Sequence, residues 1–251
     1  MLTIMICGPL HKHSLNNIKN YQKYGKVIVS CYNTDDMSLI QECDDVVIVQ
    51  STLPSFSNAN SGKVFYQAWS SYQGLQYVDT EFVIRSRSDE GWENMGPFID
   101  TMMDSPDKFT SCNIYFKGTP EPLHPSDHLY GGKTEYFKKG FKHFLEGYAP
   151  IGYAHGHIFN LDWLGAFATG EVPIFLSFLH GLGVIESITP DNTNQITFDN
   201  TALVNIDDMK PYIWSCTTMA GRKYWTDSDD LYHTYPSLKS MDDFWTIKYK
   251  L

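Results

Sequence analysis

Apolar positions in this chain fall into short blocks separated by polar turns, and two kinds of block alternate through its first half. Residues 2–7 are almost wholly apolar and are closed by Gly8 and Pro9, as expected of a strand buried on both faces. Ser14 then opens a stretch with Leu15, Ile18 and Tyr21 on one face, the period of an amphipathic helix. Gly25 ends that helix, residues 26–30 form a second apolar run, and a polar turn over 31–36 leads into a short helical stretch at 37–41. A third strand is expected at 45–50, a loop rich in Ser, Asn and Pro at 51–62, a helix at 64–76 and a fourth strand at 81–85. Strands alternating with helices at this spacing predict an α/β fold, with a mostly parallel, Rossmann-like sheet flanked by helices in a single domain. The remainder predicts a helix at 95–103, a strand at 109–116, a loop at 119–125 running into a glycine-containing loop at 126–132, and helices at 134–145 and 172–182.

Composition narrows the partners. Hydrophobic residues make up 42% of the 251 positions and aromatics 15%, so a large core is available. The formal charge of -10 argues against nucleic acid and anionic membrane surfaces, both of which select clustered Lys and Arg. The five cysteines are odd in number and form no CxxC pair, a usage that suits reduced thiols and a cytoplasmic protein. No apolar stretch has the length of a spanning helix, which leaves peripheral contact as the expected mode of any membrane association.

Candidate chemistry gathers where the expected strands end. Asp89 and Glu90 follow the fourth strand, with Arg85 and Arg87 upstream at alternate positions and Ser88 between. Such a segment offers hard oxygen ligands for a divalent cation beside guanidinium groups that pair with phosphate. The same residues would also serve as an ordinary ion-paired turn. Gly8 and Pro9 after the first strand, and Asp35 after the second, lie where a doubly wound sheet holds a nucleotide. Neither segment matches a GxGxxG fingerprint or a P-loop, which lowers the case for a dinucleotide oxidoreductase or an ATPase. Asp127 stands in a loop among His124, Ser126 and His128, with glycines just after it that allow close approach to a ligand, either as a ligand-binding or catalytic carboxylate or as a turn and helix-cap residue. Glu171, grouped with His155, His157 and His180, is either a general base at a cleft mouth or a partner for a helix dipole. Trp163, Trp214 and Trp225 offer faces for sugar or base stacking, or core packing.

The segment from Phe82 to Glu90, taken with Ser126, Asp127, His128, Tyr130 and Gly131, resembles the paired motifs of WavE-type lipopolysaccharide-synthesis glycosyltransferases and related viral sugar transferases. Gly8 and Pro9 with Asn17, Asn20 and Tyr21, residues 29–31, and Gln67 with Gly74 and Leu75 extend the resemblance to about residue 140. It implies a GT-A-like fold with a nucleotide-binding half at about 1–117 and an acceptor-side half at about 118–251. It also implies Mn²⁺ or Mg²⁺ on Asp89 and Glu90, a nucleotide-sugar donor, most readily a UDP-sugar, and a glycan acceptor. Gly8, Pro9, Asp35, Arg85, Arg87 and Ser88 would then face the donor, and Asp127 and Glu171 the transferred sugar and acceptor. Arg87 departs from the acidic DxD pattern at its first position, and Tyr66 stands where an Arg is expected. The expected activity is hexose transfer to a glycan hydroxyl. The alternatives are a sugar nucleotidyltransferase and a non-catalytic carbohydrate-binding protein on the same fold.

Overall fold

The computed structural model describes residues 1–54, 59–113, 116, 123–151, 155–164, 170–213, 215–218 and 221–224. Its strands are β1 (Leu2–Cys7), β2 (Lys26–Tyr32), β3 (Val46–Ser51), β4 (Phe82–Arg87), β5 (Gly91–Trp92), β6 (Phe109–Cys112), β7 (Leu129–Lys133), β8 (Thr201–Val204), β9 (Pro211–Ile213), β10 (Ser215–Thr218) and β11 (Gly221–Tyr224). Its α-helices are α1 (Ser14–Tyr21), α2 (Ala59–Leu75), α3 (Gly96–Asp104), α4 (Thr134–Ile151), α5 (His155–Ile158), α6 (Glu171–Leu182), α7 (Thr193–Asn200) and α8 (Ile206–Met209). Seven strands form one sheet in the order β3-β2-β1-β4-β7-β6-β8. The expected α/β architecture is therefore present, and β7 alone runs against the other six.

Every β1 residue is buried, and its side chains divide by the two-residue period between two cores. Met5 and Cys7 join the core under α2, α4 and α6, whereas Ile4 and Ile6 join the core under α1 and α3. The first core is unusually aromatic. Phe109 packs edge-on against Phe175 and Phe178 with ring centroids 5.4 Å apart, and stacks on Tyr130 at 5.5 Å.

Three sequence expectations change. Of the expected loop at 126–132, residues 129–132 belong with Lys133 to strand β7, because Gly131 pairs with both β4 and β6 and Gly132 with β4. A Cβ on Gly131 would come within 2.9 Å of Met102 Sδ and 3.0 Å of the Val83 carbonyl, so sheet packing accounts for this glycine. The strand expected to reach residue 116 ends at Cys112, where the Asn113 side chain turns to accept the Ile206 N–H at 3.1 Å. Helix α2 starts at Ala59, inside the loop expected to run to residue 62. Residues 119–122 of the expected loop, with Trp214, Trp225, Asp227, Asp229 and Asp230, lie outside the described residues. Because β7 and β8 complete the sheet begun by β1–β4, the two halves of the chain share one framework.

Helices α4 and α6 touch backbone to backbone. A Cβ on Gly140 would fall 1.8 Å from the Ser177 carbonyl oxygen, and one on Gly181 would fall 2.0 Å from that of Tyr136. No side-chain rotation relieves such a contact, so the helices must separate and open the aromatic core. Gly140→Ala should therefore cost about 3 kcal/mol or more in denaturant unfolding. A loss below about 0.5 kcal/mol, the scale of an ordinary surface change, would contradict this packing.

Candidate active site

The four parallel strands β1–β4 deliver their carboxyl ends to one edge of the sheet. Since β7 is antiparallel to β4, the residues just before it arrive at that same edge. Topology thus unites two motifs that are about forty residues apart in sequence. The Arg85 guanidinium donates through Nη1 to the Asp127 carbonyl at 2.8 Å and lies over the Tyr130 ring at 5.4 Å. Arg87 grips Asp89 with two parallel bonds, Nε to Oδ1 and Nη2 to Oδ2, both 2.9 Å. Its Nε is also 3.1 Å from Glu90 Oε1, which lies 2.5 Å from His128 Nδ1. Glu90 is fully buried, while the Arg87 and Asp89 side chains keep 24% and 18% of their exposure, so the Arg87–Asp89 pair forms the open edge of the cluster.

Helix α1 pins this segment from behind. Asn17 Nδ2 donates to the Glu90 carbonyl at 2.7 Å, and Asn20 Nδ2 donates to that of Trp92 at 2.6 Å. Trp92 N–H donates to the Tyr21 hydroxyl at 3.2 Å. The asparagines and tyrosine that carry part of the family resemblance therefore shape the 86–92 segment.

Asp127 is held from two further sides. Gln67 Nε2 on α2 donates to its Oδ2 at 2.6 Å, and Gly170 before α6 packs so close that a Cβ there would sit 2.6 Å from Gln67 Oε1 and 3.3 Å from Asp127 Oδ2. Ser126 fixes the loop by accepting the His128 N–H at 3.2 Å through its hydroxyl and the Ser111 hydroxyl at 2.9 Å through its carbonyl. Glu171, the first residue of α6, has its Oε2 3.8 Å from His124 Nε2. Sequence reasoning attached no role to Gln67 and did not pair His128 with Glu90 or His124 with Glu171. Only the closeness of those histidines to Asp127 in sequence hinted at them.

The remaining expected residues are placed as follows. Gly8 and Ser88 face each other across the ends of β1 and β4. Gly8 adopts φ +120°, which favours glycine, and a Cβ there would meet Ser88 Oγ at 2.8 Å. Their N–H groups are occupied by the Ser30 and Cys7 carbonyls at 3.0 and 3.1 Å, so backbone donation to a phosphate is not available at either position. Pro9 is exposed at the same edge. Asp35 accepts the Tyr32 N–H at 2.8 Å, closing the turn after β2. The expected grouping of Glu171 with His157 and His180 does not form. His180 stacks on His143 at 3.9 Å near the far end of α6, about 13 Å along the helix axis from Glu171. His157 pairs instead with Asp162, and the His155 side chain lies outside the described residues.

Electrostatics follow from this packing. Burial works against the Asp89 carboxylate, but the hydrogen bonds and charge of Arg87 outweigh it and hold its pKa far below the usual range. Asp127 is likewise depressed against burial, by His128, Arg87, Arg85 and the Gln67 bond. Burial opposes the charged His128 ring, yet Glu90 prevails and raises its pKa. The sign of each contribution to stability differs. Ion pairing of His128 stabilises the fold below its ordinary pKa of 6.5 and is lost as pH rises through the higher folded value. Asp89 and Asp127 contribute above the ordinary 3.8 and lose that contribution as pH falls through their lower folded values. Denaturant midpoints across pH should therefore fall on both sides of this window, and His128→Asn should flatten the alkaline limb. An unchanged alkaline limb would contradict the His128–Glu90 pair.

No protein-family model and no curated protein matches the sequence. Among solved structures, the chain is similar to HddC from Yersinia pseudotuberculosis, at 11% identity and a TM-score of 0.39 over 55% of this chain and 78% of that one. It is also similar to glucosyl-3-phosphoglycerate synthase from Mycobacterium tuberculosis, crystallised with Mg²⁺ and uridine diphosphate, at 10% identity and a TM-score of 0.45 over 82% of this chain and 69% of that one. Both likenesses are too distant to carry residues or ligands across.

The carboxylates expected to hold Mn²⁺ or Mg²⁺ have the right chemistry, but their surroundings do not suit a resident dication. Both Asp89 oxygens are engaged by one guanidinium, and Glu90 is enclosed between Arg87 and His128. A dication on Asp89 would therefore have to displace the Arg87 guanidinium from both carboxylate oxygens and would then lie beside its like charge. Among the described residues, no group of three or more His, Cys, Asp and Glu is placed to hold a metal.

Proposed function

We propose that the protein is a glycosyltransferase that moves a hexose from a nucleoside-diphosphate sugar to a hydroxyl of a glycan. One observation carries this reading: β7 brings Asp127 and His128 against the Arg85–Glu90 segment at the carboxyl edge of the parallel strands. Ligands of open α/β sheets bind at that edge. The carboxyl ends of β2 and β4, with β1 between them, are separated by roughly two strand spacings, about 10 Å; Arg87 ends β4 and Asp35 closes the turn just after β2. That interval suits a nucleoside at Gly8, Pro9 and Asp35 with its diphosphate at Arg85, Arg87 and the Ser88 hydroxyl.

Asp127 then meets the sugar. A carboxylate held below its ordinary pKa is a poor store for a proton but a good fixed negative charge. Its role is to accept hydrogen bonds from donor hydroxyls and to stabilise positive charge on the sugar ring as the bond to phosphate breaks. Glu171 lies beyond it at the start of α6, with His124 beside it, and is assigned to take the proton of the attacking hydroxyl. Because a dication does not fit beside Arg87, no step is assigned to a metal. Among the described residues no helix is long and apolar enough to cross a membrane.

A ligand that binds only the folded state raises the melting temperature with the logarithm of its saturation. A thermal-shift series should show stabilisation by UDP and a UDP-hexose, with UMP and free hexoses much weaker. Stabilisation by glycans without any by nucleotides would replace this reading with that of a carbohydrate-binding protein.

A further inference from the structure

Arg87 occupies the position where an acidic metal-binding motif would begin, and it is built in firmly. Asp89 holds it with two hydrogen bonds, Glu90 adds an ion pair 3.1 Å from the same Nε, and Glu90 is itself fixed by His128 and, through its backbone, by Asn17. These acids engage Nε and Nη2, and neither engages Nη1. The side chain stays partly open at the cleft edge, whereas Glu90 behind it is sealed. Directly inward lies a second guanidinium, Arg85, which is 4% exposed and has a buried Nε without a hydrogen-bond partner.

We propose that Arg87 is the fixed counter-cation for the donor's diphosphate, with Arg85 behind it, and that the site binds this diphosphate without a divalent ion. The inference rests on the donor class proposed above. Asp89 then acts as a positioning residue: its carboxylate turns the guanidinium fork so that Nη1 faces the cleft. A planar guanidinium suits this task, since its remaining N–H groups lie in a fixed fork that matches phosphate oxygens. The two acids orient Arg87 at the cost of part of its charge, and the incoming diphosphate restores the demand for it.

The test is calorimetric titration of the intact protein with UDP, and separately with inorganic pyrophosphate, in EDTA and in Mn²⁺. Wild-type affinity for UDP should differ by less than about 3-fold between the two conditions, and Arg87→Gln should weaken it by about 10-fold or more in EDTA. Arg87→Lys, which keeps the charge and loses the fork, should fall between them. Asp89→Asn separates the two roles of that carboxylate: it keeps one acceptor and sets an NH₂ group against the other guanidinium N–H, so as a positioning residue it should weaken UDP binding by about 3–10-fold, equally in EDTA and in Mn²⁺, whereas a metal ligand predicts a loss in Mn²⁺ alone. Each variant's ligand-free melting curve shows whether it is folded. Binding of UDP by the wild type only in Mn²⁺, abolished in Asp89→Asn, would overturn the proposal while leaving the donor class intact. Absence of UDP and pyrophosphate binding in both conditions would overturn the proposal and the donor class together.

Discussion

Asp127→Asn should leave the protein folded and its affinity for UDP within about 3-fold, yet lower turnover of a UDP-hexose by about 10²–10⁴-fold. The substitution keeps the side chain's volume, and the Arg85 bond goes to the Asp127 carbonyl, which the change does not touch. It removes the negative charge that faces the sugar. Its amide oxygen can take the place of Oδ2 and keep the 2.6 Å bond from Gln67 Nε2, while the NH₂ group replaces the other carboxylate oxygen. Steady-state release of UDP, measured on the same preparation as UDP binding, separates the two effects. Equal loss of binding and turnover would move Asp127 to the diphosphate.

Glu90→Ala is expected to have the largest effect on stability among changes at the cleft. Glu90 is fully buried between Arg87 and His128, and removing one member of a buried ion pair strands the others in a poorly solvated place. Such losses run to about 3–5 kcal/mol. Replacing both ends of the pair, as in Glu90→Leu with His128→Leu, should restore a large part of this, since an apolar pair needs no compensation. Denaturant unfolding of the single and double variants measures the coupling. If Glu90→Ala cost under about 1 kcal/mol, Glu90 would not be the structural anchor of Arg87.

The sequence made the left side of the sheet plain because β1 and β2 are nearly continuous apolar runs and β3 follows at similar spacing, each bounded by a polar turn. Asp45 marks the limit of that reading: expected to open the third strand, it takes φ 55°, and the strand begins at Val46. The right side was obscured for two physical reasons. Strand β7 carries Gly131 and Gly132, which have little intrinsic strand preference and are held there by pairing with β4 and β6. Strand β8 spans only Thr201–Val204, too short to show a period.

The site was legible as two motifs but not as one network. That Asp89 and Glu90 follow a buried strand is written in local order. That Arg87 turns back onto both, and that His128 meets Glu90 from 38 positions away, depends on β7 lying antiparallel to β4. No local spacing encodes that. The misplaced grouping of Glu171 with His180 has the same origin, because the rise of α6 carries its two ends apart while His124 approaches from another part of the chain.

The claim that this cleft handles a nucleotide sugar is tested most directly by a crystal structure of the protein with an intact UDP-hexose. The account predicts a diphosphate within hydrogen-bond reach of Arg87 Nη1, the nucleoside at Gly8, Pro9 and Asp35, and the hexose between Asp127 and Glu171. A nucleotide sugar bound away from the carboxyl ends of β1 and β4, or a diphosphate with no contact to Arg87 or Arg85, would contradict it.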